Sequence, residues 1–135
     1  MIRFFFLDTN TCIYALKGAY PALGREMAGR APQTIRVPSL VQAELLYGAE
    51  KSRQRKKVLA ALGAFLAPLQ IVPFCSRSAV HYARIRAELE RRGTPIGAND
   101  LIIASTVLAN HGTLVTHNTG EFGRIDGLAM EDWTS

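Results

Sequence analysis

The stretch Ile2-Arg3-Phe4-Phe5-Phe6-Leu7-Asp8-Thr9-Asn10-Thr11 decides the fold class of this 135-residue chain. Its first six residues are apolar except for Arg3, a pattern typical of a strand buried on both faces of a parallel sheet. The four polar residues that follow favour a turn and a helix cap, and they predict a helix over residues 12–17 that is closed by Gly18. We therefore expect Asp8 at the carboxyl end of a central strand.

Strand and helix patterns alternate along the rest of the chain. Further strands are predicted over residues 34–37, 69–72 and 113–116, with a short edge strand at 128–130. Helices are predicted over residues 40–47 (with a Ser39 cap and a stop at Gly48), 58–66, 78–92 and 98–110, and a polar turn over 117–121. This alternation predicts an α/β fold with three layers, α/β/α, around a central, mainly parallel sheet.

Length and composition fit a single globular domain over residues 1–135. The chain is 48% hydrophobic and 20% charged, which excludes a disordered protein and a disulfide scaffold. The two cysteines, Cys12 and Cys75, are far apart and are predicted to be reduced, buried thiols. The longest apolar stretch, residues 58–69, is shorter than the roughly 20 residues that cross a bilayer. The sequence therefore predicts a cytoplasmic protein without a membrane association.

The chain is basic, with 16 Lys and Arg against 11 Asp and Glu and a net charge of +5. Such an excess makes polyanions plausible partners. Five of the basic residues fall within residues 51–57 and form either a binding site for an RNA backbone or a solvated helix face. These are Lys51, Arg53, Arg55, Lys56 and Lys57.

Three acidic residues stand where a functional site is expected. Asp8 follows the first strand, Glu44 lies among apolar residues of a helix, and Asp100 lies in the first turn of another helix. Ligands of doubly wound α/β folds bind beyond the carboxyl ends of the strands. Carboxylates that converge there suit Mg²⁺ or Mn²⁺ and predict phosphodiester hydrolysis assisted by one or two ions. Taken singly, each acid could equally be a helix cap or a solvated side chain.

Short segments in a characteristic order carry a family resemblance. They are Phe6-Leu7-Asp8-Thr9-Asn10-Thr11, Ala43-Glu44-Leu45-Leu46-Tyr47-Gly48, Ile85-Arg86-Ala87-Glu88-Leu89, Gly93-Thr94-Pro95-Ile96-Gly97, Asn99-Asp100-Leu101-Ile102-Ile103-Ala104, Leu114-Val115-Thr116-His117-Asn118, Glu121-Phe122 and Glu131-Asp132-Trp133. Together they span nearly the whole chain. In order and spacing the sequence resembles PIN-domain ribonucleases of the VapC type, the toxins of type II toxin–antitoxin pairs.

The resemblance implies a Mg²⁺-dependent endoribonuclease in which Asp8, Glu44 and Asp100 bind the metal, with Mn²⁺ as a substitute. Thr9 and Asn10 are then supporting residues. It also implies an RNA substrate, with initiator tRNA as the leading candidate, a VapB-like antitoxin and a homodimer.

One position departs from the family pattern. The family often has an Asp two residues after the Thr that ends the fourth strand, and this chain has Asn118 there. The fourth catalytic residue is therefore either Asn118, through a neutral oxygen, or the nearby Glu121.

Two alternatives remain open at this point. The segment Asp8-Thr9-Asn10-Thr11 resembles the D-x-D-x-T start of aspartyl-phosphate phosphatases, in which Asp8 would be a covalent nucleophile, although Asn10 replaces the second acid. The non-enzymatic alternative is an inactive PIN domain that binds RNA or protein. None of the three histidines has the spacing of a metal ligand, and we predict that the aromatic residues form core or subunit contacts.

Overall fold

The computed structural model describes residues 2–135 and places five strands in one parallel sheet. The strands are β1 (Phe5–Leu7), β2 (Ile35–Pro38), β3 (Gln70–Val72), β4 (Thr113–Val115) and β5 (Ala129–Glu131), in the spatial order β3-β2-β1-β4-β5. β1 is central, as its apolar sequence predicts, and it pairs with β2 and β4. The predicted α/β fold is confirmed, and the sheet is entirely rather than mainly parallel.

Helices flank this sheet. They are α1 (Thr9–Lys17), α2 (Pro21–Ala28), α3 (Ser39–Lys51), α4 (Arg55–Leu66), α5 (Ser76–Arg91), α6 (Ala98–Ala109) and α7 (Thr119–Phe122), with a 3-10 turn at Pro32–Thr34. Within residues 2–135, none of these helices is both long and apolar enough to span a membrane.

The predicted bounds of three helices are wrong by three or more residues. α4 begins at Arg55 rather than at residue 58. α1 begins at Thr9 rather than at residue 12, because Asp8 caps the helix and its first turn is already helical. α3 continues through Gly48 to Lys51, and Ser39 provides no side-chain cap. A glycine inside a helix costs about 1 kcal/mol relative to alanine, and burial of Leu45 and Ala49 on either side of Gly48 keeps α3 continuous.

Two helices were not predicted. α2 begins with Pro21, a favoured first helical residue, but it is only eight residues long and buries only Leu23 completely. α7 is a single turn that follows Asn118 and buries Phe122, where the sequence predicts a polar turn. The prediction of a buried thiol is confirmed for Cys12 but wrong for Cys75. Cys75 is half-exposed at the start of α5, where hydrogen bonds from Ser78 lower the pKa of its thiol to about 7.

The core surrounds the sheet and takes buried side chains from each of the helices α1 to α6. Phe6 and Leu7 of β1 are fully buried, as are Ala104 and Val107 of α6. A Cβ at Gly112 would lie 2.3 Å from Cε1 of Phe6, so close packing of β1 requires a glycine there. This packing fixes the carboxyl end of β1 and the residue that follows it, Asp8.

Candidate active site

Asp8 lies where β1 ends and α1 begins. Its amide donates to the Val115 carbonyl at 3.2 Å, which extends the pairing of β1 with β4 by one residue. Its carboxylate accepts from the Thr11 amide at 2.9 Å, and the residue is only 6% exposed. Thr11 in turn donates from its hydroxyl to the Val115 carbonyl. The Asp8 carboxylate is therefore held firmly at the carboxyl edge of the sheet.

Glu44 reaches the same region from α3. Its Oε1 accepts a hydrogen bond from the Thr9 hydroxyl, and its Oε2 accepts one from the Asn99 side-chain amide at 3.1 Å. These two bonds connect α3 to the first turns of α1 and α6. Thr9 thus contacts Glu44 rather than Asp8, the acid that the resemblance implies it supports, and Asn10 is exposed on α1.

Asp100 is surrounded by other acidic groups. Burial raises the pKa of its carboxyl to about 7, together with a hydrogen bond to Glu121 and the negative charges of Glu121, Asp8 and Glu44. Each of these charges disfavours ionisation of Asp100. The structure therefore brings Asp8, Glu44, Asp100 and Glu121 to one edge of the sheet, where negative charge accumulates.

Asn118 and Glu121 have different positions in this arrangement. The side-chain amide of Asn118 donates to Oε2 of Glu121 at 2.6 Å, and the Gly97 amide donates to Oε1 at 3.3 Å. Glu121 brings a fourth carboxylate to Asp100, and Asn118 orients Glu121. Asn118 and Glu121 are the two candidates for the fourth catalytic residue. Of the two, the structure places Glu121 beside Asp100.

Asn99 and Gly97 also contact the site, although the sequence pattern predicts no role for either residue. Asn99 orients Glu44, and the Gly97 amide orients Glu121. Asn99 directly precedes Asp100 and Gly97 caps α6, and these positions are the sequence signal that points to both residues.

The four carboxylates match the donor chemistry of a hard divalent cation. As placed within residues 2–135, no three Asp, Glu, His or Cys side chains lie close enough together to hold a metal ion at once. Glu44 and Glu121 instead direct their oxygens to the neutral donors Thr9, Asn99, Asn118 and Gly97. Because carboxylate oxygens are the ligands that Mg²⁺ and Mn²⁺ prefer, the residues present fit such an ion in kind.

Comparison with known proteins identifies the family. Residues 5–128 match the family model of the PIN domain. The chain belongs to the PIN-domain family. This PIN domain is 40% identical over 130 residues to Ribonuclease VapC2 of Rickettsia felis, which covers 96% of this chain and 97% of that protein. It is also 40% identical over 129 residues to the tRNA(fMet)-specific endonuclease VapC of Salmonella typhimurium, with 96% and 97% of the two chains covered.

Solved structures agree with this assignment. The PIN domain superposes with a TM-score of 0.91 and 39% identity on a chain of R. felis VapBC2 bound to a DNA fragment from their promoter, covering 96% of this chain and 98% of that one. On a chain of DNA-bound VapBC from Salmonella typhimurium, the PIN domain superposes with a TM-score of 0.92 and 37% identity. The match covers 97% of this chain and 98% of that one. The predicted resemblance to VapC-type PIN domains is confirmed.

Proposed function

We propose that this PIN domain is a metal-dependent endoribonuclease that acts as the toxin of a toxin–antitoxin pair. The observation that supports the proposal most strongly is the gathering of four carboxylates at one sheet edge, in a domain similar over nearly its whole length to VapC ribonucleases. A bound Mg²⁺ or Mn²⁺ would supply positive charge that favours attack of water on a phosphodiester and stabilises charge developing on phosphate.

The chain's own residues contribute position and charge. Asp8, Glu44 and Asp100 are the residues that would hold the ion. The Thr11 amide fixes Asp8, and Thr9 and Asn99 fix Glu44. Such orientation of ligands by neighbouring groups is a general requirement of metal sites.

The substrate we propose is RNA in the cytoplasm. Initiator tRNA is the first RNA to test, because the S. typhimurium relative carries the name tRNA(fMet)-specific endonuclease. The direct experiment is cleavage of this tRNA by the antitoxin-free protein, with elongator methionine tRNA as the matched control. Cleavage in Mg²⁺ that EDTA abolishes supports the proposal, and undiminished cleavage in EDTA contradicts it.

The alternatives predicted from sequence receive less support. A covalent nucleophile needs to be accessible, but Asp8 is 6% exposed and accepts a hydrogen bond from the Thr11 amide. An inactive binding module has no need to place the charges of Glu121, Asp8 and Glu44 around Asp100, because their repulsion raises the free energy of the folded state. Hydrolysis of RNA is therefore the function that the geometry supports best.

Two basic residues of the segment over residues 51–57 differ in what their side chains contact. Lys57, together with Lys17 of α1, lines a groove between α1, α3 and α4 that also reaches Glu44. Arg55 instead donates to both carboxylate oxygens of Glu50, at 2.7 and 2.8 Å. Lys17 and Lys57 therefore offer positive charge along the groove that reaches Glu44, whereas the charge of Arg55 is already paired.

We expect Lys17→Gln and Lys57→Gln each to weaken RNA binding and to reduce its salt dependence. Each lost phosphate contact lowers the slope of log affinity against log salt by roughly 0.7 to 0.9. The measurement is fluorescence anisotropy of labelled RNA across a salt series. Arg55→Gln is the matched control, since it removes the same charge from a residue that is already paired. An equal loss of slope in Arg55→Gln would assign the whole segment to a solvated face.

The same groove suits an inhibitory partner. It has a volume of about 560 Å³, is lined by apolar side chains including Ile13, Leu45 and Leu62, and ends at Glu44. A VapB-like antitoxin is proposed to place an amphipathic segment along these apolar residues. One of its basic side chains would then reach the carboxylates and compete with the metal ion.

Ala61→Glu is expected to release the protein from inhibition. Ala61 lines the groove, one helical turn from Lys57, and a carboxylate placed there must be desolvated when the partner binds. Binding should weaken about fivefold or more, because desolvation of such a group costs at least about 1–3 kcal/mol. The control is Ala64→Glu, on an exposed position of α4 outside the groove. Titration of RNA cleavage with the antitoxin provides the measurement. Equal inhibition of both variants would exclude the groove as the binding site.

A further inference from the structure

A second group of side chains adjoins the acidic edge and has no part in holding a metal. His117 follows β4, and its Nδ1 lies 2.9 Å from Oδ2 of Asp132 and 3.1 Å from the Thr134 hydroxyl oxygen. Thr134 also donates to Oδ1 of Asp132 from both its amide and its hydroxyl. The imidazole is therefore clamped at one of its two nitrogens.

Asp132 is suited to fix this ring. Burial raises the pKa of its carboxyl, but hydrogen bonds from Thr134 and His117 and the charge of His117 outweigh that effect and hold it below its usual value. The ionised carboxylate accepts the hydrogen of Nδ1 and so sets the orientation of the ring, as carboxylates commonly do for functional histidines.

Two tyrosines support the same ring from α1 and the turn after it. Tyr14 and Tyr20 pack edge to face, with ring centroids 5.0 Å apart. The centroid of His117 lies 6.4 Å from that of Tyr14 and 6.0 Å from that of Tyr20. The His117 side chain is nevertheless 52% exposed. A ring that is fixed on one side and open on the other is a preformed surface for stacking.

The position of this ring relates it to the proposed reaction. His117 directly precedes Asn118, the residue that orients Glu121 beside Asp100. β4, which His117 follows, pairs with β1, which Asp8 follows. An RNA whose phosphate lies at the carboxylates would therefore have its neighbouring nucleotides near His117.

We propose that His117 stacks on an unpaired nucleobase of the RNA, adjacent to the phosphate bound at the acidic edge. This inference rests on the proposed function, since it assigns a binding residue for the same substrate. Aromatic side chains, histidine included, bind unpaired bases of loops and single strands in this way. The alternative is that His117 merely ties the C-terminal segment to β4 through Asp132 and Thr134.

The experiment measures binding of a fluorescent RNA hairpin with a single-stranded loop at low salt in Ca²⁺, a hard divalent cation that carboxylates also bind. A denaturing gel checks that the RNA stays intact during the measurement. His117→Asn removes the ring, and His117→Phe keeps a ring without the hydrogen bond to Asp132. His111→Asn is the matched control, because His111 is an exposed histidine at the opposite end of β4. Its φ of 53° is one that asparagine tolerates.

His117→Asn should weaken hairpin binding about tenfold, the size of effect expected for one lost base stack. His117→Phe should stay within about threefold of wild type, since a phenyl ring also stacks. His111→Asn should bind as wild type does. A fully paired RNA duplex should bind all four proteins alike, because its bases are already stacked on one another.

The inference is overturned if His117→Asn binds the hairpin as tightly as wild type does. It is also overturned if His117→Asn and His117→Phe lose equal affinity, because that result indicates that His117 only ties the C-terminal segment to β4. Absence of saturable hairpin binding by the wild type also overturns it. A separate cleavage assay in Mg²⁺ distinguishes the two proposals. If wild type binds the hairpin through His117 but cleaves no RNA, the proposed function fails and the stacking inference stands.

Discussion

Asp100→Asn should reduce RNA cleavage by the antitoxin-free protein at least about a hundredfold, because even residues that only support metal ligands cost about 10- to 100-fold when replaced. The substitution keeps the shape of the side chain and removes its charge. Asp100 adjoins Glu121, Asp8 and Glu44, so its loss removes a central carboxylate of the proposed site. Cleavage rates in millimolar Mg²⁺, with the folded state checked by circular dichroism, provide the measurement.

Asp126→Asn is the matched control for this experiment. The Asp126 side chain is 84% exposed and lies 3.7 Å from Arg92, away from the four carboxylates. The control should cleave RNA at the wild-type rate, and both it and wild type should stop cleaving in EDTA. Equal activity of the Asp100 and Asp126 variants would mean that the acidic edge does not carry the reaction.

The central strand and the acids at its edge could be predicted from sequence for a local reason. The apolar run before Asp8 has few structural alternatives, and Glu44 and Asp100 are conspicuous charges among apolar helix residues. Parallel strands place their carboxyl ends at one edge, so these acids were expected to meet. The other strands are also predicted to within a few residues, because each is a short, largely apolar run with few structural alternatives.

The contacts that complete the site could not be predicted, because they join residues that are distant in sequence. Glu121 meets Gly97, the residue before α6, only when β4 lies beside β1 and α7 forms, and the sequence predicts a turn in place of α7. The pairing of Arg55 with Glu50 likewise spans the corner between α3 and α4, where the spacing rules for a single helix do not apply. Local patterns predict such elements, but they do not indicate which side chains the elements bring together.

The second large effect concerns stability, because clustered carboxylates destabilise the metal-free fold. The pKa of Asp100 rises from 3.8 to about 7 on folding, so the folded state binds a proton more tightly than the unfolded state does. The stability that this proton contributes is present below about pH 4 and is lost as the pH rises through about 7. Asp100→Asn removes the penalty that remains at higher pH. For a half-exposed group screened by solvent, we expect a gain of about 1–2 kcal/mol.

Thermal melts in EDTA and in Mg²⁺ test this account on wild type, Asp100→Asn and Asp126→Asn. In EDTA at about pH 8, Asp100→Asn should melt above wild type, and the difference should shrink at about pH 5, where protonation already relieves the repulsion. Mg²⁺ should stabilise wild type and Asp126→Asn by about 2.7 kcal/mol at roughly 100 times its dissociation constant, because binding to the folded state alone shifts the folding equilibrium. Asp100→Asn should respond much less, having lost a proposed ligand. If Asp100→Asn melts below wild type at the higher pH and Mg²⁺ stabilises both proteins equally, the carboxylates are structural and their assignment to metal binding is wrong.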